Sequence, residues 1–261
     1  MARLRAMGLA LLAGAAWTDA NAAGLDLTAA LGYRHLAEHA AGGERLLTET
    51  GMAPSVGFTG RHAAGPGEGF AGADLTRQVL DYEGRSQLGR PVETRSDYRG
   101  ERLWLGYRLD LGPRWAVVTR WERSFQRREI RAVGAISGLD ERTRSDWLAP
   151  SVRYRPALPH LAWVEAEWQQ SIGGELRVAS AGVIDPVTIP LNRRYGLRLS
   201  ARVPLGAPSA RPGLALEPSL AWCRTEASDE RTWRRNGRAQ GTLNQPRQTE
   251  WQAGLSAVLS W

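Results

Sequence analysis

Residues 250–261 read EWQAGLSAVLSW, and their period decides the fold. Trp251, Ala253, Leu255, Ala257, Leu259 and Trp261 are apolar and occupy every second position. Glu250, Gln252, Gly254, Ser256 and Ser260 stand between them, and Val258 alone breaks the polar set. A period of two sends the two sets to opposite faces of a β-strand. Chain ends fray unless something holds them, so this strand predicts a neighbour that buries its apolar face and pairs its edges.

The amino end narrows the choice of surroundings. Residues 1–22 carry Arg3 and Arg5, an apolar run from Met7 to Trp17, and the small-x-small stretch Ala20-Asn21-Ala22. This is the pattern of a secretory signal peptide, with an apolar run too short to cross a bilayer as a helix. The expected mature domain is residues 23–261. Every basic residue is Arg, for a net charge of +7 and +6 once Arg3, Arg5 and Asp19 are removed. On an exported chain such charge points to anionic lipid or polysaccharide rather than nucleic acid. Eleven Trp against three Phe suggest rings at a membrane–water interface. Mean hydropathy is −0.37, which suits alternating strands better than apolar helices.

Alternation recurs in nine further segments. The first sets Leu25, Leu27, Ala29, Leu31 and Tyr33 on one face. The fourth opposes Leu103, Leu105, Tyr107, Leu109 and Leu111 to Arg102, Trp104, Gly106, Arg108 and Asp110. Gly112-Pro113 then turns the chain into the fifth, with Trp115, Val117, Thr119 and Trp121 opposed to Ala116, Val118, Arg120 and Glu122. The others lie at residues 51–60, 69–82, 148–154, 162–169, 195–203 and 214–222, the segment at 69–82 being the weakest. Connections after even segments are compact and rich in Gly or Pro, whereas those after odd segments are longer and polar. A soluble β-sandwich also alternates, but only a membrane barrel requires short turns on one side and long loops on the other.

The chain therefore resembles the bacterial outer-membrane β-barrels of the Gram-negative envelope. The expected fold is all-β: a closed antiparallel transmembrane β-barrel of about ten strands with up-and-down topology. In that class the last strand commonly ends in an aromatic residue that the barrel-assembly machinery reads. The resemblance assigns that signal to Leu255, Ala257, Leu259 and Trp261. It implies membrane lipid and lipopolysaccharide as surroundings and a monomer as the assembly.

The polar face would project Arg34, Arg102, Arg108, Asp110, Arg120, Glu122, Arg153, Glu165, Glu167, Arg198, Arg202 and Glu217 into the barrel. Ions left unpaired there are costly, so a salt-bridged network that plugs the lumen is expected. The Gly112-Pro113 turn places Arg102 opposite Glu122, within a slip of two residues.

Catalytic patterns are sparse. Gly67-x-Gly69-x-x-Gly72 has dinucleotide-fingerprint spacing but enters a strand rather than a helix. His35, Asp81 and Asp97 could approach one another at the outer rim and activate water, although a solvated rim histidine is the better explanation of His35. Omptin proteases, ten-stranded barrels with a rim cleft, pair aspartates at D-x-D and carry D-x-H; neither spacing occurs here. No H-x-S pair supports a lipid A deacylase. Cys223 is alone and no metal-ligand spacing is present, so neither cofactor nor metal is expected. The binding alternative rests on arginine clusters in the outer connections. One holds Arg85, Arg90, Arg95 and Arg99; a second Arg127, Arg128, Arg131, Arg142 and Arg144; a third Arg224, Arg231, Arg234, Arg235 and Arg238. Guanidinium groups pair bidentately with phosphate, sulfate and carboxylate. The sequence thus favours a plugged barrel that binds lipopolysaccharide or anionic glycans, chiefly through Arg231, Arg234, Arg235 and Arg238. A rim enzyme (omptin-like or lipid A-modifying) and a narrow porin stay open beside it.

Overall fold

The computed structural model describes residues 23–85, 90–134, 136–206 and 212–261; the segment read as a signal peptide lies outside them. The strands are β1 (Ala23–His39), β2 (Arg45–Ala64), β3 (Gly67–Arg85), β4 (Pro91–Leu111), β5 (Trp115–Ile130), β6 (Leu139–Tyr154) and β7 (Trp163–Ser180). They continue with β8 (Ile184–Pro190), β9 (Arg194–Leu205), β10 (Gly213–Thr225), β11 (Arg231–Arg235), β12 (Arg238–Leu243) and β13 (Arg247–Ser260). Ten of these, all but β8, β11 and β12, pair antiparallel with their successors, and β1 pairs with β13 from Asp26↔Ser260 to His39↔Arg247. That last pairing closes the barrel and leaves no free edge. The wall is an up-and-down ten-stranded barrel, as the alternation predicts. β8 extends the wall beside the outer part of β7, and β11 and β12 form a separate hairpin.

The lower part of the barrel, which holds residues 23 and 261, follows the period-two pattern. On β13 Leu255, Leu259 and Trp261 belong to the outward set, while Gln252, Gly254 and Ser256 line the interior. Val258 faces inward and is buried opposite Thr28 and Ala215. Leu31, Leu75, Leu105 and Leu199 are each more than half exposed. Leucines so exposed around a whole wall require lipid rather than water as their solvent. Aromatic rings mark the margins of this belt. Trp168, Tyr195, Trp222 and Trp251 stand side by side on β7, β9, β10 and β13, with ring centroids 5.9, 5.8 and 6.3 Å apart. At the opposite margin Trp115 packs on Tyr154 at 4.6 Å. The ten-residue advance from Trp251 to Trp261, at about 3.3 Å per residue and a tilt of about 40°, spans about 25 Å. Belt height, girdles and closure are those of a bacterial outer-membrane β-barrel.

Above the belt the structure departs from the sequence reading. Most of the residues read as long polar loops are strand: β3 runs to Arg85, β4 begins at Pro91, β5 reaches Ile130 and β6 begins at Leu139. The period of two persists, but its polarity reverses. Asp81, Glu83, Glu93, Arg95, Arg99, Arg127, Glu129, Arg142 and Arg144 point outward. Leu36, Leu47, Leu80, Val92, Tyr98, Leu176 and Val178 point inward and are buried. Lateral pairing with neighbouring strands occupies backbone groups along these extensions, and water rather than lipid meets their outer face. Ile189 of β8 is fully buried on Leu176 and Val178, with Leu139, Val187, Leu191 and Leu243 packed around them. This apolar cluster sits under the β8 extension at the outer end.

Gly72 of the glycine fingerprint, like Gly106 on β4, is a packing device. A Cβ on Gly72 would lie 2.6 Å from the Trp104 ring, and one on Gly106 would lie 2.4 Å from the Phe70 ring. These glycines make room for two aromatic rings that fill the lower lumen; no helix follows them.

Candidate functional site: the charged lumen and the outer hairpin

The inward side chains form ion-pair tiers. In the lowest, Asp26 accepts from Arg61 at 2.7 Å and from Arg202 at 3.1 Å, and Arg202 also binds Glu217 at 2.5 Å. Arg153 meets Glu165 at 2.6 Å, and Arg108 lies 3.2 Å from Glu68 and 3.4 Å from Asp110. The middle tier joins Asp74 to Arg102, Arg102 to Glu122 at 3.9 Å, Glu122 to Arg120 at 3.6 Å, and Arg120 to Glu167 at 2.9 Å. Arg102 faces Ser124 in the register while Glu122 faces Trp104, which is the two-residue slip that the turn allowed.

The outer tier is the most enclosed. Arg34 donates to Glu250 at 2.9 Å and to Gln78 at 3.3 Å. Arg128 donates to Glu49 at 2.8 Å, Glu38 at 3.1 Å and Glu141 at 3.0 Å. Glu49, with no exposed surface, also accepts from the hydroxyls of Ser96 and Tyr98. Ser96 and Tyr98 at Glu49, and Gln248 at Glu38, add donors that help three carboxylates share one guanidinium.

The structure brings together Arg34, Arg102, Arg108, Arg120, Glu122, Arg153, Glu165, Glu167, Arg202 and Glu217 as paired lumen residues. Arg198 also faces the lumen, but it makes no ion pair or hydrogen bond among the described residues. Asp26, Arg61, Glu68 and the Arg128 cluster were absent from the sequence-derived network. Arg128 was assigned to an outer loop and is instead inside the barrel, because β5 continues inward-outward alternation five residues past Phe125. The larger voids among the described lumen residues lie at two levels. One, of about 240 Å³, lies between the middle tier and Arg34; the other, of about 210 Å³, lies within the lowest tier.

The rim residues do not converge. His35 stands on the outer wall beside Thr50 and Trp251, and makes no contact with Asp81 or Asp97 among the described residues. Asp97 is held by Arg131 at 2.7 and 3.1 Å, and Asp81 lies 3.5 Å from Arg95. Among the described residues no group of three His, Cys, Asp or Glu side chains could hold a metal.

The outer arginines differ in how they are paired. Arg85, Arg127, Arg131, Arg142, Arg144 and Arg224 each have a carboxylate within 4 Å. On the β11–β12 hairpin Arg231, Arg234, Arg235 and Arg238 are exposed and have no carboxylate partner among the described residues. The hairpin turns at Asn236-Gly237, both with positive φ (51° and 77°), the pattern of a tight two-residue turn. Asp185 of β8 accepts from both turn N–H groups at 3.2 and 2.8 Å and so anchors the hairpin tip. Arg235 and Arg238 are paired directly across the hairpin. Like charges in that relation destabilise a strand pair.

No family model matches the chain, and no curated protein does. Among solved structures, the outer membrane protease OmpT from Escherichia coli superposes over 92% of this chain and 95% of its own, with a TM-score of 0.55 and 11% identity. The translocator domain of the autotransporter NalP from Neisseria meningitidis covers 89% of this chain and 88% of its own, at a TM-score of 0.46 and 13% identity. The β domain of the Bordetella autotransporter BrkA covers 92% and 100%, at 0.43 and 16%. At 11% identity the OmpT likeness establishes the barrel fold and no activity.

Proposed function

We propose that this outer-membrane barrel is a non-enzymatic surface protein whose lumen is plugged by ion pairs and whose β11–β12 hairpin binds the phosphate or carboxylate groups of lipopolysaccharide or anionic glycans. The observation that carries the reading is the clustering of four exposed arginines on one hairpin, with Arg235 set against Arg238 and no carboxylate partner for any of the four among the described residues. A bound anion would relieve that repulsion and accept bidentate bonds. Among the described residues no His–carboxylate contact at the rim offers the enzyme reading comparable support. Replacing Arg231, Arg234, Arg235 and Arg238 with Ser should abolish most lipopolysaccharide binding while leaving the barrel heat-modifiable, and binding by the parent should weaken as salt rises, because exposed charges are screened within about 8 Å at physiological ionic strength. Salt-insensitive binding that survives the four changes would overturn the reading.

We also propose Leu255, Ala257, Leu259 and Trp261 as the signal for the barrel-assembly machinery. Trp261 is hydrogen-bonded to Leu25 across the closing seam, with N–H to O at 2.9 Å. Trp261→Asp should lower the amount of folded barrel in outer membranes; unchanged amounts would refute the assignment.

A further inference from the structure

Two of the arginines that line the central void, Arg194 and Arg198, make no ion pair among the described residues, whereas Arg34 and Arg102 are held by Glu250 and Asp74. The carboxylates in its wall, Glu122 and Glu250, are already committed: Glu250 to Arg34 at 2.9 Å, and Glu122 to Arg120 and Arg102 at 3.6 and 3.9 Å. Arg194 and Arg198 lie four residues apart on the inward face of β9, about 13 Å along a strand, one towards each end of the void.

Arg194 is fixed by neutral groups only. It donates to the Ser145 hydroxyl at 2.8 Å and the Thr225 hydroxyl at 3.2 Å, and its guanidinium lies 4.6 Å from the Trp147 ring centroid. These contacts hold the cation in place without cancelling its charge. Arg198 lines the void with no hydrogen bond or ion pair among the described residues, feels Glu167 and Glu122 only from beyond ion-pair distance, and borders the lower void too. The rest of the wall offers hydroxyl and amide donors such as Thr76, Ser124, Gln126 and Gln169. A volume of about 240 Å³ far exceeds the 10–15 Å³ that one water needs. A buried cation with no direct partner is costly in a low-dielectric interior unless it is hydrated or meets a counter-charge.

We infer that the central void of the lumen is a binding site for a small hydrated oxyanion, with Arg198 as its principal ligand and Arg194 as the second positive pole. The site does not depend on the hairpin. The anion supplies Arg198 with the direct partner that the protein does not, so it stabilises the folded barrel by mass action.

Inorganic phosphate serves as the probe. The unfolding midpoint of the purified full chain in zwitterionic detergent is followed by Trp fluorescence as phosphate replaces chloride at constant ionic strength. The parent should show a saturable rise. Arg198→Gln should weaken the apparent phosphate affinity at least about tenfold, Arg194→Gln less, and Arg198→Lys should retain part of it. The hairpin variant with four serines should keep the whole effect. A rise that grows linearly and equally in all variants is salt exclusion from the protein surface and overturns the proposal. So does a saturable rise that survives Arg198→Gln, or one that vanishes with the hairpin arginines. If Arg198→Gln does not give a heat-modifiable barrel, crystals of the parent soaked in selenate decide: an anomalous peak beside Arg198 supports the site, and a central void without one refutes it.

Discussion

The belt and the outer extension of this barrel are built from the same strands with opposite polarity. In the belt, leucines such as Leu103 and Leu105 point out while Arg102, Glu122 and Glu167 point in. In the extension of the same β4, Arg95, Asp97 and Arg99 point out, and Val92 and Tyr98 point in. Neither the backbone nor the period changes; the solvent does. Lipid forces ions inward, where they must pair, whereas water admits them outside and leaves the interior to apolar packing. A strand that crosses the membrane surface inverts its pattern at the crossing.

The sharpest way to break this comparison is to remove the exception to it. Arg128 is a belt-like cation placed inside the apolar extension, where it pairs with Glu38, Glu49 and Glu141. Arg128→Met leaves those carboxylates buried without a cation, so the loss of stability should be about 3–5 kcal/mol. It should appear first as lost hydrogen-exchange protection in the outer halves of β1, β2, β5 and β6, and pairing it with Glu49→Gln should recover part of the loss. A change of under about 1 kcal/mol would mean that water already reaches this cluster.

The next test swaps solvents. Leu105 is 55% exposed near mid-belt, so Leu105→Arg should cost about 2–4 kcal/mol of folding free energy in a bilayer. Arg99→Leu, the complementary change on the outward face of β4 above the belt, should fall within about 0.5 kcal/mol. Equal costs, measured by urea unfolding in lipid vesicles, would mean that the membrane boundary does not lie between the two residues.

What the sequence made legible follows the same division. Ten belt segments could be read because apolar-out, polar-in alternation is unmistakable over residues 25–35, 102–111 or 251–261, and the register at Gly112-Pro113 follows from turn length. Residues 69–82 looked weak because Arg77, Val79 and Asp81 share the outward face across the crossing, mixing two polarities in one window. The outer strands were taken for loops for the same reason: charge outside and leucine inside, with no lipid-facing row to announce a strand. Asn236-Gly237 was a readable hairpin signal, overlooked amid surrounding arginines. The Arg128 cluster had no local signature, since Glu38, Glu49, Arg128 and Glu141 meet only when four strands close around them.

The smallest effect separates outer ion pairs from inner ones. Arg127 donates to Asp140 at 3.2 and 2.8 Å on the water-facing wall, and Arg142 lies 3.7 Å from the same carboxylate. All three side chains are partly exposed, so solvent screens the pairs and two long side chains lose freedom to make them. Asp140→Asn should therefore cost only about 0.2–1 kcal/mol at low ionic strength. In 1 M salt, where screening acts over about 3 Å, that difference should vanish. Glu167, bound to Arg120 at 2.9 Å inside the belt, is the matched control. Glu167→Gln should cost more, and salt should change its cost little, because the carboxylate is buried. A salt response of the same size for both substitutions would show that bulk electrolyte enters the lumen, and the tiers of ion pairs would then line a conducting path rather than fill it.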